Sequence, residues 1–163
     1  MSKQSSHSDP TPAKKLSLPK LSTYYVGSLE SAAHRKMRAF KDKILKPYGL
    51  SSTQWYIVGS VYDTQGKGTR ITDLSRQLGT NQSYMTNSVN ALVAKGVLQR
   101  HDSGVDNRAK IVVIADGYGA TVEEIEAKMR AGLREKIYKH ISSDELKAYI
   151  KTLYALAGED GGE

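Results

Sequence analysis

The sequence of 163 residues predicts a mainly α-helical fold with one small β-wing. Apolar residues recur at spacings of three and four along most of the chain, as they do in helices that bury one face. Residues 110–114 instead form a run rich in β-branched side chains, and they follow a polar loop, residues 101–107, that contains Gly104. A run of this kind beside a glycine-containing loop is typical of a hairpin.

Two helices are predicted in the first part of the chain. The first covers residues 21–46, where the apolar side chains lie on one stripe, and Pro47 and Gly49 end it. Ser51 and Ser52 then supply side-chain oxygens that can cap a second helix.

The middle of the chain predicts two short helices joined by a glycine turn. The first covers residues 72–78 and Gly79 breaks it, after which Thr80 is expected to cap the next helix and Gly96 to end it. Helix, turn, helix and hairpin in this order make a winged helix-turn-helix, predicted here over residues 49–115.

Two further helices are predicted after the hairpin. Ser142 is expected to cap the last one, with Glu145 reaching back to complete a capping box. The apolar stripes of the helices at residues 21–46 and 118–157 are too long for a lone winged helix to cover. Residues 21–48 and 116–157 are therefore predicted to form a helical dimerisation lobe. The stripe of the fifth helix comprises Val122, Ile125, Met129, Leu133, Ile137 and Ile141.

Composition and charge favour a polyanionic partner without proving one. The formal net charge is +7, of which residues 1–20 carry +3 in what is predicted to be a disordered basic arm, and residues 158–163 are predicted to form a flexible acidic tail. The chain lacks cysteine, a clustered set of histidines, a phosphate loop and a nucleophile motif. We therefore expect a protein that is not an enzyme and needs no metal or cofactor. No apolar run approaches the length of a membrane helix, and the N-terminus lacks the apolar stretch of a signal peptide, so a cytoplasmic protein is expected.

The helix after Thr80 carries the pattern expected of a DNA-reading helix. Its inward positions are apolar, whereas its outward face presents amides and hydroxyls, which can pair with base edges or phosphate. A solvated face is the alternative, but such faces usually carry Glu and Lys. The candidate contacts on this helix are Thr80, Gln82, Ser83, Tyr84, Thr86, Asn87 and Asn90.

The hairpin adds a second set of candidate contacts. Basic side chains surround its tip, and Asp106 is placed to orient Arg108, so the tip can enter a minor groove. The alternative, charges that merely pair with one another, is about equally compatible with the pattern. The basic residues are Arg100, His101, Arg108 and Lys110.

Aromatic residues raise the question of a ligand. Ten tyrosines accompany one phenylalanine, and one interpretation is a pocket for an aromatic anion with Arg38 as counter-ion. Packing at a dimer interface is the favoured alternative, because spacing alone cannot bring these residues together. The candidates are Tyr25, His34, Arg38, Trp55 and Tyr56. Glu123, Glu124 and Glu126 are interpreted as a solvated face.

Residues 71–78, residues 80–98 and the Asp106-x-Arg108 wing together resemble the MarR family of winged-helix regulators. Residues 49–55 and 141–146 also resemble family helix entries, so the resemblance extends over residues 21–157. It implies a homodimer that binds double-stranded DNA, usually as a repressor, and is often released by a small aromatic or phenolic ligand. The family's Thr cap before the fifth helix is missing, and Asp116 is expected to replace it.

Two other functions remain open at this point. An architectural protein would coat DNA without sequence preference and with a steep dependence on salt. A winged helix used for protein assembly would turn the outward amides towards a partner, but the polar face and basic wing argue against it. The operator, the regulated genes and the effector cannot be derived from the sequence.

Overall fold

The computed structural model describes residues 22–103 and 106–158. The described chain divides into two units between Arg35 and Lys36, and the second contains the end of the first helix and every later element. The predicted arm, residues 1–20, and the tail beyond Gly158 lie outside the described residues.

The described residues form six α-helices and one two-stranded antiparallel sheet, which confirms the predicted fold class. A single 3-10 turn, Lys46–Tyr48, follows the first helix, and a π-helical turn, Leu133–Ile137, follows the fifth. The elements are α1 (Thr23–Leu45), α2 (Ser52–Tyr62), α3 (Ile71–Gln77), α4 (Gln82–Ala94), β1 (Leu98–Ser103), β2 (Asp106–Ile114), α5 (Gly119–Gly132) and α6 (Ser143–Ala157).

Two predicted capping signals are confirmed. Ser51 forms a capping box with Gln54 at the start of α2, and Ser142 forms one with Glu145 at the start of α6. In each box the serine hydroxyl and the third helical side chain satisfy backbone amides that would otherwise lack a partner. Gly49 adopts a φ of 64°, which ends the 3-10 turn in the left-handed region.

The predicted Thr80 cap is wrong by one residue. Asn81 caps α4, and its side-chain oxygen accepts a hydrogen bond of 2.8 Å from the amide of Tyr84. The amide of Thr80 is instead bonded to the carbonyl of Ser75 at 2.9 Å. Thr80 therefore completes the turn that closes α3, and the next helix begins one residue later.

The wing is longer than the sequence predicted. Its strands extend through most of the predicted loop, to Ser103 on β1 and from Asp106 on β2. The ladder pairs Asp102 with Lys110, and their side chains form an ion pair of 3.2 Å. Backbone pairing does not require apolar side chains, so strands can continue where the apolar pattern stops.

The start and end of α5 also differ from the prediction. Asp116 does not cap the helix; its carboxylate accepts a hydrogen bond of 3.1 Å from the Gln99 amide. Ile141, which was predicted to lie on the apolar stripe of the fifth helix, lies outside any helix and is exposed. The π-helical turn Leu133–Ile137 has more residues per turn than an α-helix, and the helical conformation ends after it.

The main core joins the winged helix to the end of α1 and to α5, and it fixes the orientation of α4. Met85, Val89 and Leu92 are buried on one side of α4, which leaves its opposite side on the surface. Thr69 forms an isolated bridge with Val112 and so ties β2 to the segment before α3. Within the described residues no helix has both the length and the apolarity to span a membrane.

Candidate nucleic-acid interface

The outward face of α4 is polar and accessible. Gln82, Ser83, Asn87 and Asn90 are exposed, and Tyr84 is 46% exposed at the edge of the face. The nine residues from Gln82 to Asn90 span about 12 Å along the helix axis. This length of uncharged hydrogen-bonding groups suits the edges of several successive base pairs.

Two of the predicted contacts, one on α4 and one just before it, are less available than the others. The hydroxyl of Thr86 donates to the backbone carbonyl of Gln82 at 2.8 Å, which leaves it chiefly as an acceptor. Thr80 is half-buried in the turn before the helix. Gln82 and Asn87 have exposed side chains and lie nearer the start of α4 than Asn90 does.

Asn90 is joined to the wing. Arg100 on β1 donates through Nη2 to the Asn90 Oδ1 at 2.5 Å, and both side chains are exposed. A guanidinium donor makes this a charge-assisted hydrogen bond, which is stronger than a neutral one. The contact brings two predicted DNA-binding residues together and links α4 to the hairpin.

The rest of the wing presents charged residues at the surface. Lys110 is exposed and paired with Asp102, and His101 is exposed. The backbones of Asp106 and Arg108 lie on β2, whereas their side chains lie outside what the structure describes. The predicted orientation of Arg108 by Asp106 therefore stays a prediction.

The candidate ligand residues do not share one cavity. Trp55 and Tyr56 line a cavity of about 510 Å³ between α2 and α5. Arg38 lines a different cavity, at the start of α2, and pairs with Asp42 at 3.8 Å. Tyr25 and His34 are exposed on the part of α1 that belongs to the first unit.

A charged cluster ties the end of α1 to α5. The Tyr48 hydroxyl donates to Glu124 Oε1 at 2.8 Å, and Lys128 Nζ donates to the Tyr48 oxygen at 2.7 Å. The pKa of Glu124 is lowered, first by its hydrogen bond from Lys128 and then by that from Tyr48. The same contacts raise the pKa of Lys128, so both groups stay charged at neutral pH.

Sequence reasoning missed two features of these surfaces. The Arg100–Asn90 contact joins residues ten apart whose approach depends on how β1 packs beside α4. The cavity between α2 and α5 is lined by Glu123 and Glu126, which the sequence assigned to a solvated face. Gly59 and Ser60, side by side on α2, were the available signal for a cavity, since small residues leave room.

Among the residues that the structure describes, no group of three metal-ligating side chains comes together.

Comparison with known proteins supports the same fold. A family model described as MarR family matches residues 48–109. AbsC, a MarR family transcriptional regulator from Streptomyces coelicolor, superposes with a TM-score of 0.72 at 17% identity, over 85% of this chain and 95% of that chain. CouR from Rhodococcus jostii RHA1, solved bound to p-coumaroyl-CoA, gives a TM-score of 0.73 at 19% identity, over 85% and 95%.

A third similar structure contains DNA. A mutant of MarR from E. coli, solved in complex with operator DNA, gives a TM-score of 0.70 at 20% identity, over 80% of this chain and 92% of that chain. The family match and the three superpositions confirm the resemblance and the fold class predicted from the sequence.

Proposed function

We propose that this chain, in which residues 48–109 match a MarR family model, is a sequence-specific DNA-binding transcriptional regulator that acts as a homodimer. One observation carries the proposal: α4 buries its apolar side and exposes amides and hydroxyls along the other. Such a helix can enter a major groove without burying an unpaired charge, and its side chains can read bases.

The start of α4 is where reading is expected. Gln82 and Asn87 can each give and accept a hydrogen bond at the same time, which is the pattern that adenine presents in the major groove. The wing would lie along the neighbouring minor groove, with Arg108 and Lys110 as its basic contacts. A two-fold dimer would then prefer an inverted repeat with half-site centres about 10 bp apart, or a multiple of that spacing.

Dimerisation is supported by apolar surface that lies uncovered on α6. No residue of α6 is buried, and its exposed side chains include Leu153 at 44% and Leu156 at 74%. In the first unit, Tyr25 and Leu29 on α1 are likewise exposed. Contiguous apolar patches are uncommon on monomers, so a second copy of the chain is the expected cover.

The decisive experiment compares two DNA duplexes. Sequences bound by the protein are first selected from random DNA, and wild type is titrated on a selected duplex and on a scrambled one at fixed salt. We expect clear preference for the selected duplex. Gln82→Ala and Asn87→Ala should each cost ~1–3 kcal/mol on it and much less on the scrambled one.

Thr53→Ala is the matched control, since Thr53 is exposed, polar and uncharged. Thr53 follows Ser52 at the start of α2. Its neighbour Gln54 accepts a hydrogen bond from Lys95, so this part of α2 lies beside the end of α4 opposite to Gln82. The titration of Thr53→Ala should match wild type. Equal binding of wild type to both duplexes would replace the regulator with a non-specific architectural protein.

Repression and release by a small aromatic effector complete the proposal. A dimer seated on an operator blocks access to the promoter, and a ligand that favours another arrangement of the two reading helices would lower its affinity. The p-coumaroyl-CoA in the CouR structure shows that a similar fold accommodates an aromatic ligand. A reporter gene placed behind the selected sequence should be silent with the protein present and active in its absence.

A further inference from the structure

The cavity between α2 and α5 has the size and walls of a small-molecule site. Its volume of about 510 Å³ falls within the range of ligand pockets. Trp55, which is only 8% exposed, lines it together with Tyr56 and Tyr62. Three aromatic side chains around one space suit a flat apolar ring.

The space depends on a small residue of α2. Gly59 lines the cavity, and a Cβ atom added to it would meet no atom within 4 Å. A larger side chain at this position would therefore project into open space rather than into the core. Glycine inside a helix is less stable than alanine, so Gly59 lowers the stability of α2 while it keeps the cavity open.

The charged groups of the cavity are predominantly negative. Asp63, Glu123 and Glu126 line it, against Arg130 as the one basic lining residue. Arg130 is paired with Glu126 at 3.0 Å. For Asp63 and Glu123 the described residues provide no ion-pair partner within 4.0 Å, which leaves two uncompensated carboxylates.

A hydrogen bond joins one of these carboxylates to a tyrosine that also lines the cavity. The Tyr62 hydroxyl donates to Glu123 Oε1 at 2.7 Å, and this bond is the first cause of the raised pKa of Tyr62. Tyr62 therefore remains a protonated donor to Glu123 at neutral pH. Lys41 is not one of the lining residues. Its Nζ donates to the Tyr56 hydroxyl and lies 4.9 Å from the centroid of the Tyr56 ring.

We propose that this cavity binds a small aromatic molecule that carries a positive charge, such as an amidine or a protonated amine. The ring would lie against Trp55 and Tyr62, and the cationic group would face Asp63 and Glu123. Aromatic faces attract cations and repel anions, so the rings and the carboxylates select the same sign of charge. Binding itself does not depend on DNA, whereas any effect of the ligand on operator affinity rests on the proposed function.

The test uses two probes that differ in charge and hardly in shape, benzamidine and benzoate. Trp55 is the only tryptophan of the chain and lines the cavity, so its fluorescence reports binding directly. Wild-type protein is titrated with each probe in the absence of DNA. We expect saturable quenching by benzamidine, with an affinity at least about tenfold higher than for benzoate, which corresponds to ~1.4 kcal/mol.

Two variants locate the site. Glu123→Gln should reduce the preference for benzamidine several-fold, whereas Glu135→Gln, an exposed carboxylate on the turn after α5, should leave it unchanged. Gly59→Leu should fill the cavity and abolish quenching by benzamidine. Circular dichroism shows whether this variant folds, and if it does not, the Glu123→Gln comparison decides alone.

Three results would overturn the proposal: benzoate binding as tightly as benzamidine, no quenching by benzamidine at millimolar concentration, or full binding by a folded Gly59→Leu variant. Operator titration in parallel separates this failure from that of the proposed function. A protein that discriminates between the two duplexes but ignores benzamidine remains a regulator without this ligand class.

Discussion

Replacing Asn90 tests whether this residue reads a base or holds the wing. Its Oδ1 accepts the hydrogen bond from Arg100, and simultaneous reading of adenine would need both that oxygen and the amide nitrogen. We therefore expect Asn90 to act as a positioning residue, which keeps β1 and α4 at a fixed relative angle when the protein meets DNA.

The magnitude follows from the exposure of the pair. Hydrogen bonds to charged groups contribute ~1.5–3 kcal/mol when shielded from water, and less where solvent competes. Both side chains are exposed, so the coupling between them should be about 0.5–1.5 kcal/mol. Asn90→Ala and Arg100→Ala should each weaken operator binding, and the double variant should lose less than the sum of the two.

Asn90→Asp separates the two roles. A carboxylate at this position can still accept from Arg100, now as an ion pair, but it cannot donate to a base. A positioning residue should tolerate the change, whereas a base-reading residue should lose ~1–3 kcal/mol on the operator. Asn87→Asp is the matched control, since it adds the same charge to the same face, and it should weaken binding strongly.

The assay is a titration of all five variants on the selected and scrambled duplexes at one salt concentration. Amide hydrogen exchange of free protein gives a reading without DNA: strands β1 and β2 should exchange faster in Asn90→Ala than in Asn90→Asp. The reasoning is refuted if the double variant is additive within ~0.3 kcal/mol, or if Asn90→Asp loses as much affinity as Asn87→Asp.

Three further predictions concern assembly and stability. Leu153→Glu places a charge on the exposed apolar face of α6 and should convert the dimer to a monomer in sedimentation; an unchanged mass would exclude this face. Gly132→Ala places a Cβ 2.7 Å from the Cζ atom of Phe40, so it should lower the free energy of unfolding by ~1–2 kcal/mol and the melting temperature with it. Adding Phe40→Leu to this variant should restore the melting temperature. A higher melting temperature in Gly132→Ala alone would show that the Phe40 ring moves freely. The pKa of Glu145 is lowered, first by the backbone hydrogen bond from Ser142, so its contribution to stability is present at neutral pH and lost as the pH falls through that lowered pKa. Glu145→Gln should therefore lose less stability on acidification than wild type does. A loss equal to that of wild type would contradict this origin.

The sequence by itself determined the elements whose signals are local. Ser51 and Ser142 each lie three residues before the side chain that completes a capping box, so the start of α2 and of α6 could be predicted from neighbouring residues alone. The inward positions Met85, Val89 and Leu92 follow the helical repeat, and they were sufficient to identify the outward face of α4.

Tertiary structure decided the features that depend on how elements meet. Thr80 and Asn81 are neighbours and both have side chains that can cap a helix, so the local pattern allowed either; the structure selects Asn81, whose side chain accepts from the amide of Tyr84. The contact between Arg100 and Asn90 requires β1 to pass beside α4. The cavity charge has the same origin: Glu123 is an ordinary surface carboxylate on α5 until α2 packs opposite it and places Trp55 in the same space. Side-chain type and spacing are properties of one segment, whereas the convergence of two segments is fixed only when the core between them is packed.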